Sequence, residues 1–481
     1  MAEQIEKKHN FSLVIVIAAV ASTGGLLFGF DTGVISGALP FLKQSWGLST
    51  SQEEWITTSV LIGALLGAIS SGSITDIFGR KKVILVTAVI FAAGSILTGA
   101  APSPVFLAFA RIVIGIAIGI SSFTVPLYIS EISPTKIRGA MVSSFQLMIT
   151  IGILASYFSD LALADESNPF SWRWMFYVGV FPAIVLFIGM LFLPETPRFL
   201  FGKGKDEKGR KILKKVEDPA LVDTAIKRIK DDIERDKKAA TNWTEIFKPW
   251  LRTALFIAVG IMFIQQFVGI NTIIYYAPRV FIIAGFEGPR AAIAATISVG
   301  VVNVLSTVLS MFLIDKIGRR KLYFIGLTGM AISLAALGTF FLLKDTLGPS
   351  MKYISVGTVL IYIFFFAISL GPLGWLMISE IFPLKVRGLG MSIGAFSNWL
   401  FNAIVAFTFL KIAWIFTPEG MEIANKATGE ADPNPSGSFY LYSVIAFIGI
   451  LWGLKYIPET KGKTLEEIED HWRAGKAPNE L

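Results

Sequence analysis

Apolar runs of about 20 residues recur from one end of the chain to the other, divided by short polar breaks. Each run can cross a hydrocarbon core of roughly 30 Å as a helix, and the ten-residue alternation of a membrane β-barrel is absent. The pattern predicts twelve spans, at residues 12–38, 53–76, 82–101, 105–129, 139–162, 172–193, 252–284, 291–314, 321–343, 352–379, 388–416 and 437–457. The breaks after the even-numbered spans hold the basic residues, among them Arg80, Lys81, Lys82, Lys136, Arg138, Arg319, Arg320, Lys321, Lys385 and Arg387. The breaks on the other side are poorer in Lys and Arg and include Asp160, Asp165, Glu166, Glu287 and Asp432. The positive-inside bias therefore predicts both termini in the cytoplasm. The run from Phe11 continues through Gly29-Phe30-Asp31 without a small-residue cleavage site, so it reads as a span and not as a signal peptide.

The charged breaks repeat. Asp76-Ile-Phe-Gly-Arg-Lys-Lys82 returns as Asp315-Lys-Ile-Gly-Arg-Arg-Lys321. Glu131-Ile-Ser-Pro-Thr-Lys-Ile-Arg-Gly139 returns as Glu380-Ile-Phe-Pro-Leu-Lys-Val-Arg-Gly388, and Pro194-Glu-Thr-Pro as Pro458-Glu-Thr-Lys. The same order in each half implies two homologous six-span halves, an arrangement that points to a transporter with its site between them. The expected divisions are a first half at 1–199, a cytoplasmic linker with short amphipathic helices at 200–250, a second half at 251–460 and a cytoplasmic tail at 461–481. Asn242-Trp-Thr244 matches a glycosylation sequon, but it falls in the linker and reads as chance.

Composition narrows the function. The chain is 53% hydrophobic and 16% charged, against about 25% charged in soluble proteins; mean hydropathy is +0.64. The net charge of +8 is spread over short loops, with no basic domain to hold nucleic acid. With no cysteine, disulfides and thiolate chemistry are excluded, and the two histidines, His9 and His471, lie in polar tails, so no buried histidine metal site is expected. No catalytic triad or P-loop is present, so an enzyme is not expected.

Polar residues inside the spans are the candidates for function. Asp31 and Arg111 each lie in an apolar run, where an unpaired charge is expensive. A buried carboxylate whose proton competes with a guanidinium partner is a natural coupling device. Intramembrane amides include Gln146, Gln265, Gln266, Asn271, Asn303, Asn398 and Asn402. Amides donate and accept without net charge, which suits a neutral polyhydroxylated ligand, and they are expected to face the bundle interior. Asn303, Ser306, Thr307 and Ser310 form one helical stripe. Gln265, Gln266 and Asn271 do not share a helical face, so Gly269 is expected to mark an unwound point. Gly371-Pro372-Leu373-Gly374 is expected to break span 10 just before Trp375, whose face could stack on a pyranose ring, as could that of Phe28. Paired charges flank the repeated turns: Asp76 with Arg80, Glu131 with Arg138, Asp315 with Arg319, and Glu380 with Arg387. Glu195 and Arg198 are available to the first cluster. Such pairs suit a gate that locks the halves in one state and releases them in another.

The chain resembles the sugar porter family of the major facilitator superfamily, most closely its bacterial proton-coupled hexose and pentose symporters. The motifs are Gly29-Phe-Asp-Thr-Gly-Val-Ile-Ser-Gly37, Asp76-Ile-Phe-Gly-Arg80, Pro194-Glu-Thr-Pro-Arg198, Gln265-Gln-Phe-Val-Gly-Ile-Asn271 and Pro458-Glu-Thr-Lys-Gly462, and they cover about residues 11–470. The resemblance implies an all-α membrane protein of twelve transmembrane helices in two pseudo-symmetric halves, the major facilitator fold. It implies a proton site at Asp31 with Arg111 as its partner. It implies sugar contacts at Gln146, Gln265, Gln266, Asn271, Asn303, Trp375 and Asn398, and an extracellular gate at Tyr275 and Tyr276. Two positions depart from the family: Ile153 stands where many members have a second glutamine, and span 8 lacks the glycine that span 2 has at Gly72, which predicts looser packing of span 8 there.

The expectation is a bacterial inner-membrane symporter, acting as a monomer. It would carry a monosaccharide such as glucose or galactose with protons, without a metal or other cofactor. A uniporter of the same fold, a non-transporting sugar sensor and a drug or polyol exporter are the competing readings.

Overall fold

The computed structural model describes residues 11–134, 137–238, 243–383, 386–424 and 431–481. Lys136, Lys385, His9 and Asn242 lie outside the described residues. Among the described residues, twelve helices are long and apolar enough to cross a membrane. Spans 1 to 5 are Phe11–Trp46, Thr50–Phe78, Arg80–Gly99, Pro104–Ile132 and Arg138–Leu163. Span 6 is two pieces, Trp172–Val178 and Val180–Phe192, and span 7 is Arg252–Phe267 followed by Ile270–Ile283. Spans 8 and 9 are Pro289–Ile317 and Arg319–Leu342; span 10 is Met351–Ile368 followed by Leu370–Ile381; spans 11 and 12 are Arg387–Ile415 and Ser436–Tyr456. Between the halves lie short helices at Pro197–Gly202, Asp206–Val216 and Val222–Lys238, as the linker composition implies.

Several boundaries differ from the sequence expectation for physical reasons. Span 1 runs on to Trp46, through Pro40 and Lys43, where the polar signal suggested an end near 38. At 36 residues and ~1.5 Å per residue it is longer than the hydrocarbon core, so its last turns stand clear of it. Asp160 is not in a loop: it lies in span 5, with no exposed surface. Its oxygens rest against Gly37 without a hydrogen bond of ordinary geometry. The break in span 10 is at Ser369 (φ −127°, ψ −97°), not within Gly371-Pro372-Leu373-Gly374, which forms the first turn of the second piece. Proline is tolerated there because a first-turn N–H has no intrahelical partner to lose. The polar tail is also structured. Leu465–Arg473 is a helix capped by Thr464 and Glu467, and Trp472 Nε1 donates to the Ile381 carbonyl at 2.9 Å.

Two close helix crossings position the interior. Gly29, Gly33 and Gly37 fall every fourth residue on span 1, and a side chain there would collide with Ile149, Ser156 and Asp160 of span 5. The Gly29–Gly37 motif is thus a small-residue packing stripe that turns Asp31 away from span 5. Spans 2 and 4 meet in the same way through Gly63, Gly67, Gly115 and Gly119. Gly72 plays no such part: a Cβ there meets nothing within 4 Å, so the expected packing contrast with span 8 does not arise in this conformation.

Candidate functional site

Asp31 and Arg111 meet in the interior of the first half. Arg111 Nη2 lies 3.4 Å from Asp31 Oδ2, and both residues are buried, at 0% and 3% exposure respectively. The guanidinium is held by the crossing of spans 2 and 4, where Nε donates to the Ile56 carbonyl at 3.0 Å. Its Nη1 has no hydrogen-bond partner. Removing one member of such a pair leaves an uncompensated buried charge, at about 3–5 kcal/mol.

In the second half, Gln265, Gln266, Asn271 and Asn398 form one chain of hydrogen bonds. Gly269 adopts a left-handed conformation (φ +85°) and separates the two pieces of span 7, a turn that glycine makes without steric penalty. The turn lets Asn271 Nδ2 reach back to Gln266 Oε1 at 2.7 Å. Gln266 Nε2 contacts Gln265 Oε1 at 3.4 Å, and Asn398 Nδ2 of span 11 donates to that same oxygen at 2.6 Å. Gln265 Nε2 donates to the carbonyls of Leu370 and Gly371, at 2.6 and 3.3 Å, which follow the Ser369 break in span 10. One glutamine thus links both broken helices to span 11. Farther along, Asn402 Nδ2 donates to the Tyr275 hydroxyl at 3.3 Å.

Other candidates stand apart from this chain. Gln146 is half-buried, Asn303 is buried with Ser306, Thr307 and Ser310 on span 8, and Trp375 is 37% exposed. None of Gln146, Asn303 and Trp375 joins the amide chain. Phe28 packs on Trp399, ring centroids 5.2 Å apart, across the two halves; Trp399, next to Asn398, is a residue that sequence reasoning missed. An apolar groove of about 870 Å³ between spans 9 and 10, lined by Phe324, Ile332, Phe340 and Ile361, contains none of the amides.

On the basic face the repeated signatures build two equivalent clusters: Asp76–Arg80 and Asp315–Arg319 form as expected, but Glu131 and Glu380 take partners other than Arg138 and Arg387. Glu131 pairs with Arg80, Nε to Oε2 at 3.1 Å, and approaches Arg198 at 3.9 Å. Arg138 instead donates to the Ser133 carbonyl. Likewise Glu380 pairs with Arg319 at 3.0 Å, and Arg387 is not its hydrogen-bonded partner. Asp76 and Asp315 reach Arg80 and Arg319 from one helical turn away, at 3.1 and 3.2 Å. Glu195 accepts from the backbone N–H groups of Arg80 and Lys81, and Glu459 from those of Arg319 and Arg320. Thr196 and Thr460 complete the symmetry by donating to Glu131 and Glu380. Burial pushes the Glu195 carboxyl up, against the lowering effect of the N–H groups it caps. These pairs around Glu131 and Glu380 each stay within one half.

The opposite face is where the halves are joined. Tyr275 and Tyr276 are buried there, at 3% and 1%, and Tyr276 packs against Phe409 with the rings tilted and their centroids 5.2 Å apart. Tyr157 of span 5 donates to the Ile274 carbonyl at 3.2 Å. Charged residues also cross the interface, through Glu53 and Glu54 of span 2, Arg279 of span 7 and Lys411 of span 11. Sequence reasoning missed them because charges near span ends read as flanking polarity. Arg173, Arg290, Lys344 and Lys352 lie on the same face, so the positions of Lys43, Arg279 and Lys411 did not single them out.

Two six-helix halves, broken helices in spans 7 and 10 and a buried polar network beside them define a membrane transporter of the major facilitator fold. The comparisons narrow the class. The chain matches the family described as "Sugar (and other) transporter" over residues 17–472, and it belongs to that family. It is 41% identical over 450 residues to the putative metabolite transport protein YwtG of Bacillus subtilis, covering 94% of this chain and 93% of that one. It is 37% identical over 476 residues to the galactose-proton symporter of Escherichia coli K12, covering 98% and 97%. Among solved structures, the partially occluded inward-open conformation of the E. coli xylose transporter XylE matches with a TM-score of 0.78 and 31% identity, covering 94% of this chain and all of that one.

Proposed function

We propose that this protein takes up a monosaccharide, of the glucose or galactose class, together with protons across a bacterial inner membrane. The observation that carries the proposal is that one half holds a neutral amide network at two helix breaks and the other a buried Asp31–Arg111 pair. Sugar hydroxyls donate and accept at once, and Gln265, Gln266, Asn271 and Asn398 can trade their mutual hydrogen bonds for bonds to sugar. Gln146, Asn303 and Trp375 complete the site from spans 5, 8 and 10, and the Phe28–Trp399 pair covers it. The galactose-proton symporter and xylose transporter among the relatives support this substrate class.

Protonation of Asp31 releases Arg111 and deprotonation recaptures it, which biases the two halves toward different arrangements. The basic clusters lie at the cytoplasmic mouth, with both termini on that side. Tyr275 and Tyr276 close the outer mouth. The chain divides into the halves 1–199 and 251–460, the linker 200–250 and the tail 461–481.

The test is uptake of labelled sugar into proteoliposomes with and without an imposed pH gradient, in competition with glucose, galactose, xylose and fructose. Symport predicts accumulation above the external concentration only with the gradient. Equilibration alone, indifferent to the gradient, makes the protein a uniporter, and binding without flux makes it a sensor.

A further inference from the structure

Four charges on the face opposite the basic loops form a ring that the proposed transport cycle has to open. Lys43 Nζ lies 3.5 Å from Glu53 Oε1, and Arg279 Nη2 lies 2.9 Å from Asp432 Oδ1. These two pairs are each internal to one half. The other two sides cross between the halves: Arg279 bonds Glu53, and Lys43 Nζ lies 3.6 Å from Asp432 Oδ1. Signs alternate around the ring. Beside it, Glu54 accepts from the Lys411 backbone N–H at 3.0 Å, and its Oε2 is 3.4 Å from Lys411 Nζ, again across the halves. Glu53, Glu54 and Asp432 are buried, at 1%, 0% and 2%. The six charges sum to zero.

We propose that these six residues are the outer clasp of the transport cycle, and that it opens by shedding only its cross-half bonds. Two features set it apart from pairs that merely finish helix ends. The pairs around Glu131 and Glu380 on the basic face stay within a half, whereas three here join the halves. Lys43, Arg279 and Lys411 each also meet an acid of the other half, whereas other bases of this face, such as Lys344 and Lys352, form no ion pair among the described residues. When the halves part, Lys43–Glu53 and Arg279–Asp432 survive, so neither cation loses its last partner. Retaining those pairs avoids the large penalty of an uncompensated charge and lets the clasp reopen on every turnover. Glu54–Lys411 has no second acid in reserve; on parting, Lys411 keeps the Phe407 ring of its own half, its centroid 3.7 Å from Nζ, and water, which already reaches it at 40% side-chain exposure.

This inference rests on the alternating-access reading, but its test reads conformation and not flux. The chain has no cysteine, so Thr58→Cys places a single thiol one turn below Glu54, at a buried hydroxyl without a hydrogen-bond partner. The rate of its modification by a membrane-impermeant maleimide is measured from the outer side of right-side-out vesicles. Arg279→Gln, Glu54→Gln and Lys411→Gln, each in that background, are expected to raise the rate about tenfold by shifting the population outward. Glu54→Gln with Lys411→Gln is expected to add little to either alone. Unchanged or slower labelling in Lys411→Gln, the most exposed member and the least disruptive to folding, overturns the clasp even if the buried variants fail to fold. Faster labelling in a protein that carries no sugar in any assay upholds the clasp and rejects the transport reading instead.

Discussion

Asp31 and Arg111 were legible from the chain because a charge in an apolar run has few explanations. Their contact was not readable from spacing, since 80 residues separate them, and only the family resemblance implied it. Replacing Asp31 with Asn removes the titrating group and keeps the shape. The expected result is loss of uphill sugar uptake with sugar exchange retained, read by accumulation and counterflow in the same vesicles; unchanged accumulation rejects the coupling role. Gln265 was legible as an amide, but its place at the junction of spans 7, 10 and 11 was not. Gln265→Ala removes a donor and an acceptor and is expected to weaken sugar binding about tenfold, near the 1.5 kcal/mol of a lost hydrogen bond. An apparent affinity equal to that of the parent places the sugar elsewhere. Ile153, buried in span 5, offers no hydrogen bond where many of the family have an amide; Ile153→Gln is expected to alter the order of sugars in a competition assay.

Helix breaks carry the candidate site at the level of elements. Gly269 was predicted as an unwound point because three amides could not share a face, and its positive φ bears this out. Gly269→Ala meets two obstacles, an αL backbone strained by about 1–2 kcal/mol and the Tyr442 ring against the new methyl group. A lower melting temperature in detergent and weaker sugar binding are expected together; a variant with parental melting would mean that the turn relaxes freely. Span 10 shows the limit of pattern reading. Gly371 and Pro372 announced a break, yet the chain turns at Ser369, because proline is accepted in the first turn that follows. The signature loops show the same limit. Acids and bases at matching places predicted ion pairs, but adjacency in sequence suggested Arg138 and Arg387 as partners, where folding supplied Arg80 and Arg319.

For the whole molecule, this conformation is joined on the face opposite the basic loops, by Tyr157, the buried tyrosines and the charged ring. A symporter in de-energised cells is expected to alkalinise an unbuffered medium when sugar is added, recorded with a pH electrode. A flat trace with rapid sugar movement marks a uniporter.

The sequence alone determined the twelve crossings, the two-fold repeat, the family and the residue types of the site, because hydropathy, charge placement and repeated motifs are local and survive without coordinates. Only the tertiary structure decided which amide meets which, which arginine each acid takes, that Asp160 is buried, and that Lys43, Glu53, Arg279 and Asp432 close a ring. Those facts depend on which helix faces cross, and that is set by small-residue packing between segments far apart in the chain.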